Sequence, residues 1–396
     1  MRIGMILDKT FPPDPRVENE AISLIGKGHE VFLFCLKYTT EKEDEVIKNI
    51  QVKRYKSNKL IYKLSALVYT IPCYSSIMSK KINYFLKRYN IEAIHIHDIQ
   101  IANAVFKANK ILNLQTVLDL HENRPEIMKF YPHLQKFPGK YLISAKKWKR
   151  KEETFIVKAT KVVVVTEEAK SEIVDRVGKH PEDIIVVPNT VHKSFYNAAK
   201  IQQEIIERYK NSFVLLYVGD TGLRRGLQTA IESVAIIKDK IPTIKLVIVG
   251  SNTSDVVLKE QVSRLKLENY VDFQGWKNES LFPSYIKVSS ICISPLHRNL
   301  HHDTTYANKL FQYMSLAKPV LVSNATAQKN IIENANSGLV HGAEDSSSFT
   351  EKVLELYQNK SLQLKLGENG ERFIEEKFHW ERTSKNLIDL YTNLGK

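Results

Sequence analysis

Short apolar runs recur along this chain, each closed by a polar or glycine-containing turn and followed by a stretch with apolar positions three and four apart. Arg2 to Leu7 (RIGMIL) and Glu30 to Leu36 (EVFLFCL) are such runs, and the residues between them repeat with helical spacing from about Arg16 to Lys27, stopping at Gly28. Near-continuous apolar runs are the mark of strands buried on both faces, and period-3.6 stretches between them supply the crossover helices. The same reading predicts strands at Ala93–Ile96, Thr116–Leu120, Val162–Val165 and Ile184–Val187. It predicts one or two amphipathic helices over Lys59–Asn90 and another helix within Pro138–Lys158. Phe195 to Asn211 shows no strand pattern and reads as the passage to a second series. That series has strands at Phe213–Gly219, Leu246–Val249, Val271–Gln274, Ile291–Ile293, Val320–Val322 and Leu339–Val340. Its helices fall at Leu227–Lys238, Ser280–Val288, Ala307–Leu316 and Ile331–Gly338, and Ser346–Leu394 is helical almost throughout. Strands alternating with helices give an α/β class with parallel sheets. Two series of similar length give two doubly wound domains facing one another across a cleft, divided as 1–195 and 196–377.

The turns carry the candidate chemistry. Open α/β sheets bind ligands beyond the carboxyl ends of their strands. The stretch PLHRNLHHDTTYANKLFQYMSLAKP, Pro295 to Pro319, puts a polar loop and a helix mouth at such an end, with Lys309 in the first turn. Unpaired amides at a helix start favour phosphate, and a lysine adds a full charge. A second turn, Gly219-Asp220-Thr221-Gly222-Leu223-Arg224-Arg225-Gly226, joins glycines that admit close backbone approach to two arginines. In the first half, the turn DKTFPPDPR lacks glycine and is no dinucleotide fingerprint. There Asp14 and Arg16 stand at a helix mouth, where they either meet a ligand or cap the helix. Two strands end in a histidine and an acid, His97-Asp98 and His121-Glu122, which places imidazoles at one sheet edge. The alternative for each is a histidine satisfied within the core.

Charge changes the picture more than length does. The 396 residues carry a formal net charge of +14, which suits an anionic membrane face, nucleic acid or phosphorylated substrates. No nucleic-acid recognition module accompanies it. Lys146-Lys147-Trp148-Lys149-Arg150-Lys151 gathers five basic residues around a tryptophan on a helix, the composition of a membrane-surface element, or else of a solvated charged face. No run of about eighteen apolar residues is present to span a bilayer. Met1 leads directly into a strand, without a signal peptide, and Cys35, Cys73 and Cys292 lie in apolar surroundings without paired spacing, as reduced core residues of a cytosolic protein.

The order of these motifs resembles glycosyltransferase family 4. The matching pieces are ILDKTFPPDPRVENEA, GKGHEV, IHIHD and LDLHEN in the first half, then YVGDTGLRRGL, LVIVG, VDFQGW, ISPLHRN, NKLFQYMSLAKPVLVS and IIENANSGLV. The resemblance implies a GT-B fold of two Rossmann-like domains, with the last helix, 378–396, returning to the first. It implies a nucleotide-diphosphate sugar held by the second domain, an acceptor held by the first, retention of anomeric configuration and no metal or other cofactor. By position, Arg225 and Lys309 would clamp the diphosphate, and His121 would approach the transferred sugar. Gly219, Asp220, Gly226, Trp276, Asp303, Thr304, Asn308, Leu310 and Gln312 would line the nucleotide-sugar site; Asp14, Arg16, His97 and Asp98 would face the acceptor. The family's paired-glutamate motif departs here. Its second glutamate is Gln312, its first falls at Thr304 beside Asp303, and the basic residue after the first loop glycine is Asp220.

The expectation is a retaining hexosyltransferase-like enzyme building a surface polysaccharide, peripheral on the cytoplasmic face of the cell membrane, with a glycan or lipid-linked acceptor. Two other classes stand beside it: a binding or scaffolding subunit that kept the fold without the chemistry, and a GT-B epimerase acting on the nucleotide sugar.

Overall fold

The computed structural model describes residues 1–395 apart from 132, 133, 135 and 138. It divides into two compact units, one formed by Met1–Pro188 together with the segment from Ser384 onward, the other by Asn189–Thr383. These divisions lie a few residues from the expected 195/196 and 377/378.

The first unit is built on an eight-stranded sheet of β1 (Arg2–Ile6), β2 (Glu30–Lys37), β3 (Asp44–Ile47), β4 (Ile50–Lys56), β5 (Ala93–His97), β6 (Gln115–Asp119), β7 (Lys161–Val164) and β8 (Ile184–Val186). Their spatial order is β3-β4-β2-β1-β5-β6-β7-β8, and every pairing is parallel except β3 with β4. That hairpin is absent from the sequence reading because nearly half of its residues, DEVIKNIQVKRYK, are charged. Its turn residues Lys48 and Asn49 both have positive φ, as a two-residue hairpin loop requires. The exposed β3 closes the sheet edge, where an unpaired strand would invite association. The helix Pro15–Ile25 starts on a side-chain cap, Asp14 accepting from the Val17 N–H at 3.2 Å, with Pro15 in the first turn. The last helix, Lys385–Leu394, belongs to this unit, with the Asn386 amide donating to the Val186 carbonyl at 2.8 Å.

The helix Ala145–Lys158 corrects the membrane-surface expectation in part. Trp148, Glu152, Phe155 and Ile156 form its buried face, and the Trp148 ring packs edge-on to Tyr69 with centroids 4.8 Å apart. Trp148 is therefore core. Lys149 is drawn into ion pairs with Glu172 at 3.3 Å and Glu152 at 3.7 Å. Lys146, Lys147 and Arg150 are exposed and Lys151 is half-buried. The spacing explains the error: position 148 shares the face of 152, 155 and 156, whereas 146, 147 and 150 look outward.

The second unit has a six-stranded, wholly parallel sheet of β9 (Phe213–Val218), β10 (Ile244–Val249), β11 (Val271–Gly275), β12 (Ile291–Ser294), β13 (Val320–Ser323) and β14 (Gly338–His341). Its order is β11-β10-β9-β12-β13-β14. The change of direction beside β9 is the topological switch point of such sheets. Two apolar clusters sandwich the sheet, one including Leu216, Val247, Phe311 and Met314, the other including Leu215, Ile231, Ile248 and Phe349. The passage expected at 195–211 instead contains two short helices, Lys193–Asn197 and Gln203–Tyr209, within this unit. Cys35 and Cys292 are buried, but Cys73 is exposed at the start of a helix, against the expectation that all three were core. Among the described residues, no helix is long and apolar enough to cross a membrane.

Candidate active site

In the second unit, the turn after β9 is shaped by backbone proximity. Gly219 has φ +122, and a Cβ placed on Gly226 (φ +73) would lie 1.7 Å from the Pro295 carbonyl oxygen. Only glycine lets the two loops meet in this way. Lys309 opens the helix Lys309–Met314, and its Nζ sits 3.3 Å from the centroid of the Tyr217 ring and 3.7 Å from where a Gly219 Cβ would stand. The ammonium is buried and makes no hydrogen bond among the described residues. Burial, and then the nearby Arg225, hold the Lys309 pKa well below the usual lysine range. Arg225 Nε donates to Asp220 Oδ2 at 3.3 Å, and Asp220 Oδ1 also accepts from the Asn252 amide at 2.6 Å. Asp220 therefore occupies one edge of the guanidinium and ties it to the turn.

The structure thus brings Lys309, Gly219, Asp220, Arg225 and Gly226 together at the end of β9. Trp276 stands just beyond β11, 74 % exposed, and Asn308 is exposed at the mouth of the Lys309 helix. Gln312 donates to Glu279 Oε1 at 2.8 Å, which places a carboxylate beside the position where the family motif carries one. Three of the other expected contacts are used inside the fold. Leu310 is fully buried and its N–H is spent on the Ala307 carbonyl, so it has nothing to offer a ligand. Thr304 is buried and donates to the Leu300 carbonyl at 2.7 Å. Asp303 accepts from the Thr326 N–H at 2.7 Å and from Arg298 at 3.2 Å, so it anchors the start of the helix Thr326–Ala335. The loop expected across 295–306 contains a short helix, Leu300–Asp303, in which His301 and His302 are buried. Sequence reasoning missed Tyr217, Asn252 and Glu279. Only the first had a signal, an aromatic residue two positions before the glycine turn.

In the first unit, the strand ends gather a different set. β5 and β6 pair with His97 opposite Asp119, and alternation puts His95, His97 and Asp119 on one face, under the helix Pro15–Ile25. Arg16 of that helix grips Asp119 from two nitrogens, at 3.0 and 2.8 Å, reaches Glu20 at 3.0 Å and donates to the Val187 carbonyl at 3.2 Å. His95 lies 3.3 Å from Glu20 and 2.8 Å from the Tyr391 hydroxyl. Arg16 and His97 are 5 % and 0 % exposed, so neither faces an acceptor as expected. They are interior. Asp14 caps its helix. The reason for His97 is the pleat, which turns it inward. Just past the strand ends, Asp98, with φ +67, is buried too, at 5 % exposure, and does not face an acceptor as expected, whereas the His121 side chain is 14 % exposed. Arg124 Nη1 lies 3.8 Å from Asp98 and Lys9 Nζ lies 4.0 Å from it.

Burial pushes the His97 imidazole down to about 3, helped by His95, and pushes Glu20 up to about 7. Burial also opposes charge on His121, but Asp119 and Asp98 outweigh it and raise it to about 9. Desolvation opposes ionised Asp119 too, and Arg16 and His121 hold it well below the usual carboxylate range. Glu20, His95, His97 and Asp119 bring ligand-type atoms within 4.8 Å of one another. The Arg16 guanidinium is already paired with both carboxylates, and a divalent cation would have to displace that fixed charge, so the set does not fit a metal.

Comparison with known proteins follows the same division. A family model described as "Glycosyltransferase Family 4" matches residues 16–195, and one described as "Glycosyl transferases group 1" matches residues 199–373. EpsD of Bacillus subtilis (strain 168) is 23 % identical over 194 residues, 48 % of this chain and 49 % of that protein. The capsular polysaccharide biosynthesis glycosyltransferase CapM of Staphylococcus aureus is 24 % identical over 197 residues, 50 % of each. The matched part thus spans about half the length of these curated relatives. Among solved structures, HepE of Anabaena in complex with UDP superposes with a TM-score of 0.74 at 14 % identity, covering 99 % of this chain and 100 % of that one.

Proposed function

The chain belongs to glycosyltransferase family 4 and has the GT-B fold, and on that premise we propose that it moves a sugar from a nucleotide-diphosphate sugar to an acceptor hydroxyl. The observation that carries the reading is the Lys309 ammonium, buried beside the Gly219 turn without a hydrogen-bond partner among the described residues. A buried cation lacking a partner is costly, and a diphosphate would supply one. Arg225 completes the cationic edge. Departure of the nucleotide leaves negative charge on phosphate, and fixed cations stabilise what develops there. They take the part that a metal plays elsewhere, so transfer proceeds without one; retention of configuration is the outcome that membership of the family implies. The exposed Trp276 indole offers a face for stacking the base.

The acceptor is held by His121 and Arg124 of the first unit, with buried Asp98 orienting Arg124, and it is a glycan or lipid-linked hydroxyl of a surface polysaccharide. The relative named for capsular polysaccharide biosynthesis, CapM, supports that class. Peripheral binding at the inner membrane face is supported by exposed Lys146, Lys147 and Arg150, with Phe137 and Tyr141, 84 % and 76 % exposed, on the segment just before them. Thermal-shift measurements with UDP, GDP and dTDP test the donor half. A nucleotide at about a hundredfold over its Kd stabilises by about 2.7 kcal/mol, so one of the three raises the melting temperature by several degrees. If none does, the reading fails. Transfer from the corresponding labelled sugar nucleotide, unaffected by EDTA, then separates an enzyme from a binding subunit.

A further inference from the structure

His121 is bracketed by carboxylates. Its Nε2 lies 2.7 Å from Asp119 Oδ2, and its Nδ1 lies 3.9 Å from Asp98 Oδ2, too far for a hydrogen bond. Asp119 has no freedom to turn away. Arg16 binds both of its oxygens, and Arg16 is itself held by Glu20 and by the Val187 carbonyl. Behind Glu20 stand His95 and the Tyr391 hydroxyl of the last helix, so the chain of polar contacts runs from that helix to the sheet edge.

We propose that Asp119, clamped by Arg16, is a positioning residue that holds His121 as an imidazolium whose Nδ1–H donates to an oxygen of the bound substrate. His121 is then a fixed donor carrying positive charge, not a base that takes a proton from the acceptor. The transferase reading supplies the oxygen it meets, a sugar or acceptor hydroxyl or a phosphate; the protonation state rests on this unit alone. Every charged or titratable group around the ring enters the balance. Asp119 comes from β6 and Asp98 from the turn after β5. His97 of β5 has its Nδ1 3.1 Å from His121 Nε2, and burial keeps it neutral. Arg16 and Glu20 come from the helix Pro15–Ile25, Arg124 from the helix Arg124–Met128, and Asp8 and Lys9 follow β1. Arg16 and Arg124 oppose a charged imidazole, Arg16 more weakly than the carboxylates favour it. The two carboxylates facing the ring nitrogens dominate, consistent with the elevation of His121 to about 9.

The test is a histidine-ring NMR titration of the full-length protein, with His121→Gln identifying the resonance. In the wild type, His121 titrates with a midpoint above 8. Asp119→Asn brings that midpoint below 7, at least a tenfold loss of proton affinity, and Asp98→Asn lowers it by a smaller step. A wild-type midpoint near 6.5 overturns the proposal, as does an Asp119→Asn midpoint equal to that of the wild type. Should Asp119→Asn fail to fold, the wild-type and Asp98→Asn midpoints still decide. Neither measurement needs a substrate, and nucleotide thermal shifts report on the other unit. Failure of the transferase reading would therefore leave this result standing, and the reverse.

Discussion

At the scale of the residue, Lys309 is the position where cost and use coincide. Removing an ammonium from water costs several kcal/mol, and the Tyr217 face returns about 2 kcal/mol at most. The free protein therefore carries a net penalty at this side chain. Lys309→Met keeps the length and removes the charge, so the unliganded variant melts no lower than wild type. Nucleoside-diphosphate affinity falls about tenfold to a hundredfold, the loss of a charge-assisted hydrogen bond of about 1.5–3 kcal/mol. Calorimetric melting with and without nucleotide measures both. A variant that melts several degrees lower and binds normally would assign Lys309 to the core.

At the scale of the element, the helix Ala145–Lys158 separates two roles that its composition merges. The outward lysines and the arginine are free to meet an anionic surface, while Trp148 fills the core against Tyr69 and Phe155. Replacing Lys146, Lys147 and Arg150 together by glutamate leaves the melting temperature nearly unchanged and abolishes co-sedimentation with anionic vesicles at low salt. Trp148→Ala instead costs about 3–5 kcal/mol of stability, read by denaturant unfolding, through the cavity it leaves. Vesicle binding that survives the triple change would remove this helix from the membrane reading. The ion pairs of Arg176 with Glu152 and Glu153, at 2.9 and 3.0 Å, join the helix to Glu167–Val177. The pair of Lys149 with Glu172 at 3.3 Å spans the same two helices and turns Lys149 toward a neighbour and not solvent.

At the scale of the whole molecule, buried histidines set the acid limit. Burial holds His97 at about 3, His301 at about 2, and His302 and His341 at about 4, all below the unfolded value near 6.5. Below that value the unfolded chain binds protons that the folded one refuses, so stability falls as the pH drops from about 6.5 toward 4. Glu20, raised to about 7, and Asp8 and Glu152, also raised by burial, work in the opposite direction, while the lowered carboxyls of Asp98 and Asp119 add to the histidines as the pH falls further. On the alkaline side, His121 contributes stability that is complete below about 6.5 and is lost as the pH rises through about 9. Melting followed by circular dichroism at constant ionic strength gives a maximum between about pH 6.5 and 7, with a lower melting temperature at pH 5. A higher melting temperature at pH 5 than at pH 7 would contradict this balance.

The apolar runs and the turns after them determined two α/β units and their strand sequence, because a strand buried on both faces leaves few alternatives to its composition. They also determined the cationic turn, since the Gly219–Gly226 loop and the Lys309 helix start each follow an apolar strand. The charged hairpin Asp44–Lys56 was hidden, because an edge strand needs no apolar face. Which acidic and basic groups meet was decided only by tertiary structure. Arg16 and Asp119 are distant in sequence, and their pairing depends on the pleat of β5 and β6 and on the helix laid over them. That packing made Arg16, His97 and Asp98 interior and left His121 at the edge, and in the second unit the start of the helix Thr326–Ala335 took Asp303. Local spacing determines which face of an element a residue occupies, but what lies opposite that face depends on contacts made across the fold.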